Sequence, residues 1–177
     1  MKNCRTSLLV ILSAVLAACA SATSSIEKQG PVYRIVVPST GQVLEFPSEG
    51  FKVEMADNSR PYYYVTNAKI GLNLSFNFEP ARNCTTSESC RDYFANKLKS
   101  SYPNKKDWQT SRIGDVFVSE NMDGPVDGFN LRQQHMNAHF VKDGVWIDVH
   151  MSKVNYRQTD RELFVNQVRA IRFRPKS

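Results

Sequence analysis

The chain has 177 residues, 41% of them hydrophobic, and 23 Lys and Arg against 17 Asp and Glu give a net charge of +6. This length suits one domain with a modest core. The positive excess is mild and spread out, which excludes a nucleic-acid partner; its densest cluster, Arg169, Arg172, Arg174 and Lys176, reads as a solvated helix and strand end.

Lys2 and Arg5 precede an apolar run from Leu8 to Ala18 broken only by Ser13. The run falls short of the ~20 residues a spanning helix needs, and the small residues after it describe an export signal. Two cuts compete. Ala20-Ser21-Ala22 offers an ordinary small-residue site, whereas Leu16-Ala17-Ala18-Cys19 resembles the lipobox of bacterial lipoproteins. In a lipobox the cysteine sulfur takes a diacylglycerol and the chain is cut in front of it. The lipobox is the stronger match, which makes residues 1–18 a signal peptide and Cys19 the lipid anchor. Ala20 stands where an Asp would favour inner-membrane retention, so the resemblance implies the periplasmic face of the outer membrane. Several acyl chains hold stably to a bilayer at ~0.8 kcal/mol per buried methylene. Removal of Lys2 and Arg5 lowers the charge from +6 to +4. Residues 19–30, rich in Ser, Ala and Thr, read as a flexible tether.

The domain, residues 31–177, begins with two strands, Val32–Val37 and Val43–Phe46, around a turn at Pro38–Gly41. Lys52–Met55 and Tyr62–Val65 follow as strands separated by Arg60-Pro61. Lys69–Phe78 alternates strictly, with Ile70, Leu72, Leu74, Phe76 and Phe78 on one face and Gly71, Asn73, Ser75 and Asn77 on the other. Of the four cysteines, Cys4 leaves with the signal and Cys19 is lipidated. Cys84 and Cys90 remain, with five residues between them rather than the two of a redox pair, and in an exported protein they predict a structural disulfide. Thr86 or Ser87 caps a helix running to about Ser100. Trp108–Arg112 leads into Val116–Val118, and Met122–Gly128 is an acidic loop. Phe129–Val141 and Val145–Val154 form a hairpin through Asp143-Gly144, and Thr159-Asp160-Arg161-Glu162 reads as a capping box for a helix to about Ile171. Strands, helix, strands, helix make a mixed α+β domain, a mostly antiparallel sheet flanked by helices.

The lipobox, Phe46-Pro47-Ser48-Glu49-Gly50-Phe51, the strand entering a helix, the late hairpin and the terminal amphipathic helix together resemble PsbP-like lipoproteins of the DcrB type, from about Val43 onward. The resemblance implies an α/β/α sandwich and a family of docking or stabilising proteins without a shared active site. The Cys84–Cys90 pair is a local addition to that pattern.

A two-residue turn at Asp143-Gly144 fixes the hairpin register. Phe140 opposes Ile147, Ala138 opposes Val149 and Met136 opposes Met151, an apolar face. On the other face His139 opposes Asp148, His150 opposes Asn137 and His135 opposes Ser152, with His139 and His150 diagonal neighbours roughly 7 Å apart. Phe129 and Leu131 share the histidines' parity, so the pattern breaks near Gln133. Imidazoles and a carboxylate at His135, His139, Asp148 and His150 are zinc or copper ligand types, a minor reading beside a solvated or half-covered polar face. The spacing of His135 and His139 lacks a metalloprotease glutamate, and no Gly-x-Ser-x-Gly or phosphate-cradling loop is present. Nothing points to an enzyme. Asp115, Glu120, Asp123 and Asp127 read mainly as turn formers and solubilising groups, and the loop residues Asp123, Gly124 and Asp127 are where a partner would touch. Two functions fit: a lipid-tethered, non-catalytic module that docks on or stabilises an envelope protein, or an immunity-type lipoprotein that neutralises a toxin delivered to the periplasm by type VI secretion.

Overall fold

A computed structural model describes residues 25–57, 59–125 and 128–176. The export signal, Cys19 and Asp127 lie outside the described residues. Eleven described strands divide between two antiparallel sheets, and two α-helices pack on them. The smaller sheet has β1 (Ile26–Gln29), β2 (Val32–Val36), β3 (Gln42–Pro47) and β11 (Arg172–Pro175) side by side. The larger runs β4 (Lys52–Asp57), β5 (Tyr62–Asn67), β6 (Leu72–Pro80), β10 (Val145–Lys153), β9 (Gln134–Lys142), β8 (Val116–Asp123) and β7 (Lys105–Ile113). The expected α+β class is the observed one, with the strands split between two sheets.

The alternation in β6 and β10 decides how the layers stack. Leu72, Leu74, Phe76, Ile147, Val149 and Met151 point to one side of the large sheet, all fully or almost fully buried. There they meet Ile35, Leu44 and Phe46 of the small sheet and Phe164, Val165 and Val168 of α2 (Arg161–Ala170) in one core. Helix α1 (Ser87–Ser101) crosses the opposite face of the large sheet over β8 and β9. The Cys84–Cys90 disulfide closes the loop into this helix and packs on Trp146. Thr86 caps α1 by accepting the Ser89 N–H. The hairpin register is the expected one throughout, and positive φ at Asp143 (49°) and Gly144 (78°) gives the two-residue turn its type I′ twist.

Three expectations change. Residues 26–29, expected within the tether, form a strand, because Ile26–Gln29 pairs with Val32–Ile35 and makes β1. The Thr159–Glu162 capping box does not form: a short 3-10 turn, Gln158–Asp160, precedes α2, and the Asp160 carboxylate accepts the Arg157 N–H at 2.8 Å. The carboxylate that reaches back is thus Asp160, to the Arg157 N–H, two residues earlier than the expected pairing of Glu162 with Thr159. β9 begins only at Gln134, which leaves Phe129 and Leu131 outside the sheet.

Candidate functional site

The side of the large sheet facing α1 carries the polar alternates of five strands. β6 contributes Ser75 and Asn77, β10 Asp148 and His150, β9 His135, Asn137 and His139, β8 Ser119, Asn121 and Asp123, and β7 Lys105. Half of this face is sealed by α1. Tyr93 and Phe94 pack on Trp146, and Phe94 also lies 5.1 Å from the His139 ring. The other half is an open cavity of about 430 Å³. Its floor is Ser75, Asn77, Asn121, His135, Asn137, Asp148 and His150, and its walls are Tyr62 and the α1-side residues Phe94, Leu98 and Tyr102.

His139 belongs to the sealed half. Trp146 Nε1–H, a donor only, points at His139 Nδ1 at 3.3 Å, so Nδ1 accepts and the ring proton sits on Nε2, donating to Ser119 Oγ at 3.1 Å. Burial, then the Arg91 charge, depresses the imidazole pKa to about 3. His139 is therefore a neutral core side chain with both nitrogens engaged. Its Nδ1 stands 3.7 Å from Asp148 Oδ1, beyond hydrogen-bond reach.

A continuous polar chain crosses the open half. Lys105 Nζ donates to Asp123 Oδ1 at 2.5 Å, and His135 Nε2–H to Asp123 Oδ2 at 2.9 Å. With its Nε2 proton committed, His135 Nδ1 accepts from His150 Nε2–H at 2.9 Å, and Ser75 Oγ lies 3.4 Å from His150 Nδ1. The imidazoles that meet are thus His135 and His150, stacked at 5.2 Å, not His139 and His150 as the sequence suggested. His150 has a diagonal neighbour on each side of Asn137, and both the sheet's twist and the Trp146 bond that holds His139 favour His135. Burial first, then the His135 and Lys105 charges, takes the His150 pKa down to about 3. His135 is also lowered, by burial more than Asp123 raises it. Burial pushes Asp123 upward, but its hydrogen bonds and charges from Lys105 and His135 prevail and hold it below the ordinary carboxylate value.

Asp123 therefore does not project from its loop as a partner contact. It ends β8 facing inward, and Gly124 beside it is pinned: its N–H donates to Asn104 O at 3.0 Å, and a Cβ there would lie 2.4 Å from that oxygen. Glu120 is likewise no solubilising group, since it is buried in an ion pair with Arg161 at the start of α2. Among the described residues no group of three or more His, Cys, Asp or Glu is arranged to hold a metal. The ring nitrogens of His135, His139 and His150 are directed at protein partners.

Asp148 is different. Its carboxylate accepts only from Asn137 Nδ2, at 3.0 Å to each oxygen, and its side chain is 13% exposed in the cavity lining. Burial, opposed by the Asn137 bond and reinforced by Glu79, raises its pKa to about 7.

By sequence the chain matches no protein-family model and no curated protein. Its fold does have solved counterparts. The solution structure of cyanobacterial PsbP (CyanoP) from Synechocystis sp. PCC 6803 superposes over 89% of this chain and 98% of its own, with a TM-score of 0.51 at 13% identity. The fold is PsbP-like. LpqN, a Mycobacterium tuberculosis protein involved in cell envelope biogenesis, aligns over 86% of this chain and 91% of its own at 9% identity, with a TM-score of 0.38. In this PsbP-like domain the residues that sequence reasoning missed are Lys105, Asn121 and the ring walls Tyr62 and Tyr102. Asn121 and Asp123 share the parity of Ser119, so the β8–β9 register would have placed them beside the histidines. Lys105 had no such signal, because a bulge interrupts β7 between Lys106 and Gln109.

Proposed function

We propose that this PsbP-like domain is a lipid-anchored, non-catalytic module that docks on a protein of the bacterial envelope. Anchoring rests on the Leu16–Cys19 lipobox, and an oxidising compartment such as the periplasm fits the closed Cys84–Cys90 bridge.

The observation that carries the non-catalytic reading is the state of the one serine–histidine–histidine–aspartate chain. It resembles a relay that would activate Ser75, yet His150 is depressed to about 3 and is a poor base at neutral pH. Ser75 is also set in the middle of β6, whose neighbours on both sides share its backbone in the ladder, so strand N–H groups are not presented to an oxyanion. The chain orders the sheet face. It does not drive chemistry.

Docking is supported by Phe129, 74% exposed, and Leu131, 53% exposed, on the segment that leaves the Asp123–Gly124 corner. Two large apolar side chains held out on one short segment fit a protein contact. A crosslinking pull-down from native envelope tests this, with the intact chain as bait and Cys19→Ala as the unlipidated control. One dominant partner, lost with Cys19→Ala, is the expected result. If that partner is a delivered toxin, the module is an immunity protein; if it is resident, a housekeeping one. Equal recovery of background proteins with both baits would contradict docking.

A further inference from the structure

The cavity between α1 and the large sheet has a use that protein docking does not require. We propose that it is a binding site for a small organic cation, a primary ammonium on an apolar or aromatic body, with Asp148 as counter-ion and Tyr62, Phe94 and Tyr102 as walls. Its volume, about 430 Å³, suits such a ligand. A second hollow of about 280 Å³ also has Asp148, Phe94 and Tyr102 in its lining, so the carboxylate stands where the two meet.

Charge accounting selects a cation. Lys105 lines the cavity, but its ammonium is neutralised by Asp123. His139 and His150 are neutral, and His150 directs its Nε2–H away to His135. Asp148 is left as the carboxylate of the floor, with no charged partner among the described residues. Glu79 of β6 adds negative potential to the second hollow, whose other charged lining group is Lys97 of α1, positioned 6.0 Å from the Tyr93 ring. A buried carboxylate without a counter-charge is costly, and a bound ammonium relieves that cost while its body covers the rings. A second, independent observation points to a ligand. Asn121, 1% exposed, lines the same cavity and its Oδ1 has no hydrogen-bond partner. Buried amide oxygens are normally satisfied, and Asn121, across β9 from Asp148, is placed to meet the far end of a ligand whose ammonium lies on Asp148.

The test is titration calorimetry of the full chain in non-ionic detergent with phenethylammonium, its neutral analogue 2-phenylethanol and the anion phenylacetate. A titration into the same detergent buffer without protein subtracts partitioning into micelles. Saturable binding of the ammonium is expected at pH 8, at least tenfold tighter than of 2-phenylethanol, with no binding of phenylacetate. Asp148→Asn should weaken it tenfold or more. Between pH 8 and pH 6 affinity should fall about tenfold as Asp148, with its pKa near 7, takes up a proton while the ligand stays cationic. His139 and His150, depressed to about 3, stay neutral over that range, and burial holds His135 below its ordinary value; Glu79, Lys97 and Lys105 are the other charged groups lining the two hollows. Tyr102→Ala, at a half-exposed rim, leaves the core intact and should weaken binding severalfold, so the site is tested even if Asp148→Asn misfolds. Equal binding of amine and alcohol, preference for the anion, no saturation in the millimolar range, or pH-independent affinity would each overturn the proposal.

Discussion

Asp148→Asn should make the domain more stable, and by an amount that depends on pH. In the unfolded chain this carboxyl titrates near 3.8, whereas burial raises it to about 7 in the fold. Between those values the folded state holds a proton that the unfolded state has lost, so stability falls as pH rises and levels off above pH 7. Three units at ~1.4 kcal/mol each set a ceiling of about 4 kcal/mol. The amide removes the charge but turns one acceptor of the Asn137 N–H groups into a donor, which costs about 1 kcal/mol. The gain of the variant over wild type should therefore grow by about 2–4 kcal/mol between pH 4 and pH 8. The depressed histidines tilt both proteins the other way: folded His139 and His150 stay neutral down to about pH 3, so each contributes stability that is lost as pH falls below 6.5. That slope is common to both proteins and cancels in the difference. Urea unfolding at pH 4, 6 and 8 with the disulfide intact measures it; with the ~1 kcal/mol amide cost subtracted, at ~2 kcal/mol per molar the midpoint should move by about 0.5–1.5 M at pH 8. A difference that is constant with pH, or a less stable variant at pH 8, would refute an uncompensated Asp148.

Other perturbations probe separate parts of the molecule. Replacing both Cys84 and Cys90 with serine should cost about 2 kcal/mol by loop-closure entropy for so short a ring, and thermal melts with and without reductant would show it. Arg161→Ala should destabilise by about 3 kcal/mol, because Glu120 is left charged and buried; adding Glu120→Gln should restore much of that loss in a double-mutant cycle. Gly124→Ala should cost about 1–3 kcal/mol by driving a Cβ into the Asn104 carbonyl oxygen, again read by denaturant midpoint.

Much of the fold was legible because it is written locally. Asp143-Gly144 set the turn and hence every pair of the hairpin, the Cys84–Cys90 spacing set the bridge, and period-two alternation in Leu72–Phe78 set the core side. Of the two four-residue strands, Ile26–Gln29 was not legible, and Arg172–Pro175 was legible only as a solvated strand end with no partner assigned. Ile26–Gln29 and Arg172–Pro175 are mostly exposed and owe their conformation to β2 and β3, not to their own pattern. The site was half legible. Sequence placed His135, His139, Asp148 and His150 on one face, but which rings touch depends on sheet twist and on Trp146, and their partners Asp123 and Lys105 arrive from strands whose pairing has no local signature. Asp123 in particular looked like a solvated loop acid because an acidic, glycine-containing stretch hides the fact that β8 reaches as far as Asp123.

The central claim, that this is an anchored docking module whose contact lies at the exposed apolar segment, is tested most directly by site-specific photocrosslinking in living cells. A photoreactive residue would replace Phe129 and, as a control, the exposed Glu27 of the smaller sheet. The prediction is one discrete crosslinked envelope protein from position 129, absent from position 27 and lost when Cys19 is changed to alanine. The same faint pattern from both positions, or a position-129 product indifferent to Cys19, would contradict it.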